Sequence, residues 1–386
     1  MYFKKSFDFE DVRFIFLSFT VSPHANGIEM ELEKAFNRCD EEIGLDYIVR
    51  QTIFIPAYSY RQKIYDIMGR VFKGELPATC FVRQPLLNGE AIGVELWIVI
   101  PEKGKDSDHI KRETENLTIV DTGGLKWAFL CGIEPANRNE PISQQVATGL
   151  EEADVLLRAY GFGFSQVIRT WFYTGEILEP EGRSIRYDEM NRIRNMFYQE
   201  IWENEEYYPA STGIGIDGDG FVLDGIALKS NVRQPNIIRI DNPLQTRPYN
   251  YNINKAPDEK PTFCRGVVVS CDKFYIIFIS GTASIRGSDV VFKGDIIKQT
   301  KTTIENIASL IDKSNLKERY GLQRGASLED IQQIRVYIKR GEYGNMVKHI
   351  CEQFFPRVPQ LYCVADICRP SLLVEIEAIA VLSKIE

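Results

Sequence analysis

The chain has 386 residues, enough for two or three domains with real cores, and is 44% hydrophobic and 26% charged, as an ordinary soluble globular protein is. A formal net charge of −8 weighs against a nucleic-acid partner, because phosphate binding usually shows as basic excess, although a local basic cleft is compatible with it. No apolar run is long enough to span a bilayer, and the charged opening MYFKKSFDFEDVRF has no signal-peptide core, so a cytoplasmic protein without a membrane partner is expected.

The eight cysteines (Cys39, Cys80, Cys131, Cys264, Cys271, Cys351, Cys363 and Cys368) form no C-x-x-C pair, and the three histidines offer no zinc-ligand spacing. Reduced thiols and no metal site are the expectation.

In chain order, Pro77 to Pro101 predicts a strand, a short polar turn and a strand containing a glutamate. From Ala128 to Ile177 an apolar strand ends in Gly132, a loop follows, then a helix with Gln145 and Glu151, then a β-branched strand ending at Tyr173. Arg186 to Glu205 reads as an amphipathic helix with Met190, Ile193, Met196 and Phe197 on one side. A glycine-rich stretch, YPASTGIGIDGDGFVLDGIAL, and two short strands come next. Asp241 to Phe263 has four prolines and no periodicity, which predicts an extended connector; the domain boundary is placed at its start, giving 1–240 and 241–386. From Ile276 to Tyr343 the earlier pattern returns, with Gly281 closing the strand, Gln299 and Glu305 on the helix, and Tyr337 ending the next strand. Gln and Glu stand six residues apart in both copies, so the two helices are expected in equivalent places. Finally Pro359 to Leu382 resembles Pro77 to Pro101 and carries Glu375 and Glu377.

Those two glutamates lie two apart in a strand pattern and therefore share a face. Two carboxylates on one dry face repel, which raises the pKa of at least one and suits a general acid at neutral pH. An interfacial pair held by other groups explains the same pattern equally well. Small residues at Gly281, Thr282 and Ala283 leave space for a flat ligand against the backbone, or form an ordinary tight turn.

The ordered motifs VIRTWFYTGEI, RYDEMNRIRN, YPASTGIGI, NPLQTRPYNY, PTFCRG, ISGTASI and ADICRPSLLVEIEA together resemble the chorismatase family, and the C-terminal third resembles the wider YjgF/RidA superfamily. The resemblance covers roughly residues 125 to 386, with the first hundred residues matching as a degenerate half-domain. It implies an α+β chain of two YjgF/RidA-like (chorismate-mutase-like) domains, each a mixed sheet packed against helices, with the active site in the C-terminal part. It implies cleavage of the enolpyruvyl ether of chorismate to pyruvate and a hydroxylated ring product, without metal or organic cofactor. Glu375 is then the acid that protonates the enol ether methylene. Cys368 and Gly281 mark the branch that forms 3-hydroxybenzoate; a thiol at Cys368 is otherwise a small apolar filler. A dianionic substrate needs local cations, and Arg194, Arg265 and Arg369 lie in family motifs. Tyr187, Tyr249 and Tyr251 offer hydroxyls and walls to the ring, or simple core packing.

The loop before Gly294 departs from the family pattern, with Ser288 and Phe292 where histidines are usual. Two other activities stay open: hydrolysis to a dihydroxycyclohexadiene carboxylate and pyruvate, and a deaminase-like or non-catalytic ligand-binding role. Against a deaminase, Gln360 stands fifteen residues before Glu375, where imine deaminases carry an arginine. Two fused YjgF-like units internalise part of the usual trimeric interface, so a monomer resembling a trimer within one chain is expected.

Overall fold

The computed structural model describes all residues except 1, 10, 23–26, 73, 90, 102–108, 123, 231–235, 252–255, 272 and 385–386. Three sheets, each with two helices, succeed one another along the chain. The first comprises β1 (Tyr2–Phe9), β2 (Val12–Val21), α1 (Ile28–Glu42), β3 (Ile48–Ile55), α2 (Ser59–Val71), β4 (Ala78–Arg83) and β5 (Ile92–Pro101). The second comprises β6 (Ile110–Thr114), β7 (Leu117–Thr122), β8 (Leu125–Ile133), α3 (Ile142–Ala159), β9 (Val167–Gly175), α4 (Arg186–Ile201), β10 (Ala210–Ile216) and β11 (Phe221–Ser230). The third comprises β12 (Asn236–Ile240), β13 (Gly266–Ser270), β14 (Phe274–Ala283), α5 (Ile296–Ile311), β15 (Ile331–Ile338), α6 (Gly344–Phe354), β16 (Gln360–Val364) and β17 (Val374–Ser383).

The spatial orders are β1-β2-β5-β3-β4, β6-β7-β8-β11-β9-β10 and β12-β13-β14-β17-β15-β16. In each, the last strand inserts between the strands that flank the first helix, and one parallel pair (β3 with β4, β9 with β10, β15 with β16) closes the edge. This is the expected mixed-sheet α+β layering. Helices α3 and α5 occupy the same topological slot, as the Gln–Glu repeat requires. The likeness of Pro77–Pro101 to Pro359–Leu382 has the same origin, since β4–β5 and β16–β17 are equivalent. Residues 1–240 thus hold two complete sheets and also β12, the first strand of the third sheet, which pairs with β13 beyond the connector.

One face of each sheet carries its helices over a separate apolar core. The opposite faces meet in a shared core that includes Phe14, Phe16 and Trp97 of the first sheet, Trp127, Phe129 and Trp171 of the second, and Val267, Phe278 and Ile379 of the third. Trp97 touches both other sheets, with ring centroids 5.9 Å from Phe129, 6.5 Å from Trp171 and 6.3 Å from Phe278. Central strands covered on both sides read as near-continuous apolar runs, which is why charges inside them stand out.

Those charges form a ring. Arg50 of the first sheet pairs with Asp224 of the second at 2.7 Å, Arg169 of the second with Glu377 of the third at 3.0 Å, and Arg335 of the third with Glu95 of the first. The relation between sheets therefore closes after three steps, as in a cyclic trimer. In each sheet a bulge follows a short helical turn, at Ile48/Arg50, Val167/Arg169 and Ile331/Gln333. Counting from it places Glu95, Asp224 and Glu377 at one equivalent position, opposite Thr52, Trp171 and Arg335. The next inward-facing position holds Gly93, Val222 and Glu375. Only the third sheet has a second carboxylate there.

Candidate active site

Glu377 and Glu375 share a face of β17 but not an environment. Glu377 accepts from Arg169 Nη2 at 3.0 Å, Trp171 Nε1 at 2.9 Å and Thr212 Oγ1 at 2.5 Å, and pairs with Arg335 at 3.2 Å. Burial pushes its pKa up, but Arg335 and Arg169, with the Thr212 and Trp171 donors, outweigh burial and hold it below the usual carboxylate range. Glu375 is 4% exposed, and no hydrogen bond among the described residues supports its charge. Burial first, then the charge of Glu377, raises its pKa to about 8 against the opposing pull of Arg169 and Arg265. Glu375 is accordingly a neutral acid at pH 7.

Gly281 does not close β14 as expected but lies two residues before its end, directly beside this acid. A Cβ there would overlap the Glu375 carboxyl oxygen and crowd Thr212 Cγ2 at 3.2 Å. Only glycine lets the two strands stand this close. Gly281 N donates to Thr212 Oγ1 at 3.1 Å, and that hydroxyl also accepts from Arg169 at 2.6 Å, which commits its own proton to Glu377. Thr282 is buried, its hydroxyl donating to Ser280 O at 2.8 Å, and Ala283 is the cross-strand neighbour of Glu375.

The wall over the acid is cationic and aromatic. Arg194, on α4, is 1% exposed and meets only neutral acceptors: Thr262 Oγ1 at 3.0 Å, Asn191 Oδ1 at 2.6 Å and Ser211 Oγ at 3.4 Å. Arg265 donates to Tyr251 Oη and Thr246 O, and its Nε is buried without a partner. Arg265 and Arg194 share the Phe263 ring, at 5.5 Å and 5.9 Å, and Arg265 and Arg369 share the Tyr251 ring, at 5.5 Å and 4.8 Å. No carboxylate among the described residues pairs with Arg194, Arg265 or Arg369. Buried guanidinium groups without an anion are costly, and a ligand carboxylate relieves that cost.

Cys368 and Arg369 lie in the turn between β16 and β17. The turn is fastened to the second sheet by an Ile214–Ile367 bridge and by Gly215 N donating to Asp366 O at 2.8 Å. Cys368 is half-buried, and the Tyr187 hydroxyl lies among Cys368, Arg194, Asn191 and Glu375, its pKa pushed up mainly by burial. Arg369 Nη1 donates to Ser288 O at 2.7 Å, tying this turn to the loop after β14. Tyr249 packs edge-on to Tyr208 at 6.0 Å, with burial raising its pKa to about 12. Among the described residues no cluster of His, Cys, Asp or Glu is arranged to hold a metal ion, and the eight cysteines form no disulfide.

A 3-hydroxybenzoate synthase of Streptomyces hygroscopicus is 32% identical over 292 residues, 74% of this chain and 80% of that protein. A chorismatase of the same species is 30% identical over 263 residues, 66% of this chain and 73% of that one. This chain belongs to the chorismatase family. A chorismatase crystal structure shares the fold, with a TM-score of 0.67, 22% identity, and coverage of 88% of this chain and 95% of that chain. No family model matches the sequence.

In this chorismatase-family chain the predicted site residues gather where the second and third sheets meet. Glu375 and Gly281 touch, Arg265 acts on Glu375, and Tyr187 links Cys368, Arg194 and Glu375. Of the expected apolar side of α4, Met190 is buried and Ile193 and Phe197 pack against the core, but Met196 is 52% exposed; Tyr187, Asn191, Arg194 and Asn195 are buried as well. The helix thus buries a polar face as well as the expected apolar one. Gln360 is buried on β16 with Tyr362 Oη donating to it, and the equivalent position beside Arg194 is Ser211 of β10. Sequence reasoning missed Arg169, Trp171, Thr212, Thr262 and Phe263. A signal was available in the charge and hydroxyls within the otherwise strand-like VIRTWF and ASTGIGI.

Proposed function

We propose that the protein cleaves chorismate to pyruvate and 3-hydroxybenzoate. The observation that carries this is Glu375, a buried neutral acid with a pKa of about 8, set against Gly281 and faced by guanidinium groups that lack anions. The named relatives act in the same chemistry. Enol ether hydrolysis starts with protonation at carbon, so an acid that keeps its proton at neutral pH is the group required.

Arg194, Arg265 and Arg369 take the two substrate carboxylates. Tyr187 and Tyr249, with Tyr251, flank the ring, and the Gly281–Thr282–Ala283 backbone lets the ring lie flat. Glu375 delivers its proton to the methylene carbon, creating an oxocarbenium ion at the ether carbon. The substrate's own hydroxyl attacks that carbon and gives up its proton, closing a cyclic ketal. The ring C–O bond of that hydroxyl and the ketal bond to the former ether oxygen then break, so pyruvate leaves with the hydroxyl oxygen as its carbonyl. The ring keeps the ether oxygen as its hydroxyl and loses a C–H proton to become aromatic, with no water consumed. Cys368, beside Tyr187, directs collapse of the ring intermediate to 3-hydroxybenzoate. In the hydrolytic alternative a water molecule attacks instead, and the ring leaves as a dihydroxycyclohexadiene carboxylate.

Incubating the purified protein with chorismate and resolving the products by chromatography tests the proposal. Equimolar pyruvate and 3-hydroxybenzoate are expected. Pyruvate with the dihydrodiol would replace this reading by hydrolysis, and absence of turnover would remove both.

A further inference from the structure

Glu377 is an interface carboxylate by position, the counterpart of Glu95 and Asp224, each gripped by an arginine of a neighbouring sheet. It differs from them in having the acid Glu375 next to it on the same face of β17. Its holders come from elsewhere: Arg169 and Trp171 on β9, Thr212 on β10, and Arg335 on β15, which Glu95 of the first sheet also binds. Thr212 is the pivot, since one hydroxyl fixes the Gly281 backbone beside Glu375 and points its proton at Glu377.

We infer that Glu377 is a positioning residue for the proposed acid: locked as the anion by Arg335 and by the second sheet, it keeps the single proton of the pair on Glu375. The inference rests on the reading of Glu375 as the acid. The groups facing Glu375 are Glu377 on its own strand, Arg169 from β9, Arg265 after the connector, Tyr187 from α4, and Tyr337 with Arg335 from β15. Of these, Glu377 is the one carboxylate, so it is the neighbour that disfavours a second negative charge. Were Glu377 less firmly held, the proton would be shared between a carboxyl beside Gly281 and one turned to the ring, and only the former faces the cleft.

Two variants separate this role from a merely structural one. Glu377→Gln removes the adjacent anion and leaves Arg169 uncompensated, so Glu375 ionises more readily. The alkaline limb of kcat/KM for chorismate moves down by about one pH unit or more, read as roughly a fivefold or greater loss at pH 8. Arg169→Met removes a cation that favours ionised Glu375, so the limb moves up. Opposite displacements are the expected result; lowered activity with an unmoved limb in both would overturn the inference. Difference infrared titration of the ligand-free protein reads the same point without turnover and with a variant that preserves the fold. The carboxyl still protonated at pH 7 disappears in Glu375→Gln if the inference holds, and its persistence there would assign the proton to another group. A protein that leaves chorismate untouched while passing the infrared test would fail the functional proposal alone.

Discussion

At the scale of single residues the site turns on one proton. Glu375→Gln keeps shape but cannot protonate carbon, and pyruvate release should fall by about 10²–10⁴-fold, with chorismate binding retained through the arginines. The pH profile of the native protein is also fixed in sign. A required acid with a pKa raised to about 8 means kcat/KM falls as pH rises through that value. Arg265 depresses that pKa in the free protein. Once a substrate carboxylate neutralises Arg265, the limb seen in kcat should lie above the limb seen in kcat/KM. The same group sets a stability slope. Because the folded state holds the proton between about pH 4.5 and 8 and the unfolded chain does not, stability is full below that window and declines through it. Denaturant unfolding at pH 5 and pH 8.5 should show a decline on the order of a few kcal/mol that Glu375→Gln abolishes. Cys368→Ala should act differently from Glu375→Gln, retaining pyruvate release while product shifts away from 3-hydroxybenzoate. Equal loss of both products would show that the thiol does more than direct the outcome.

At the scale of elements, the loops of the third sheet are held by polar side chains that the repeat had marked. Gln299, on α5, is fully buried; its amide donates to Phe292 O at 3.2 Å and Ser371 O at 2.9 Å, and its oxygen accepts from Leu373 N at 2.9 Å. One side chain thus joins the loop after β14 to the turn that carries Cys368 and leads into β17. Its counterpart Gln145 likewise donates to Arg138 O and Glu140 O ahead of α3. Gln299→Ala leaves buried carbonyls and an N–H without partners, at about 1–3 kcal/mol each. Stability should fall, and KM for chorismate should rise, because the turn holding Arg369 loses its anchor. Unchanged KM would show that the turn is held well enough by Ile367 and Asp366. The departure at Phe292 has a structural counterpart in its left-handed backbone, φ 54°, immediately before the Gly294–Asp295 helix start, where Asp295 caps Lys298 N at 3.0 Å.

At the scale of the whole molecule, three sheets enclose one core and three buried ion pairs close the ring. The pair Arg50–Asp224 joins the first and second sheets and reaches Glu377 only through Trp171, whose ring lies 4.0 Å from the Arg50 guanidinium. Asp224 also accepts from Gly132 N at 2.7 Å. Asp224→Asn strands Arg50 in the core and should destabilise the fold by about 3–5 kcal/mol. The turnover of the protein that remains folded should change little, as measured by activity normalised to the folded fraction. A loss of turnover as large as that of Glu375→Gln would mean that the ring couples to the site more tightly than adjacency requires.

The sequence by itself determined the strand–helix–strand pattern around α3 and α5 and their equivalence, the family, and the shared face of Glu375 and Glu377. These are local or periodic properties: alternation places residues on faces, and repetition of Gly, Gln and Glu reports a repeated slot. It did not determine that the opening hundred residues build a sheet of their own, because their likeness to the later copies survives only in β4 and β5. Nor did it decide between an acid and an interfacial pair for the two glutamates. The structure gives the two residues different surroundings, and the proposed function assigns the acid to Glu375. Glu377 became the anion because Arg335 of its own sheet and Arg169, Thr212 and Trp171 of the second hold its charge, and Glu375 kept its proton because burial and the charge of Glu377 outweigh the pull of Arg169 and Arg265. Burial and the field of distant charges decide which carboxyl ionises, and those exist only once the three sheets have closed around their common core.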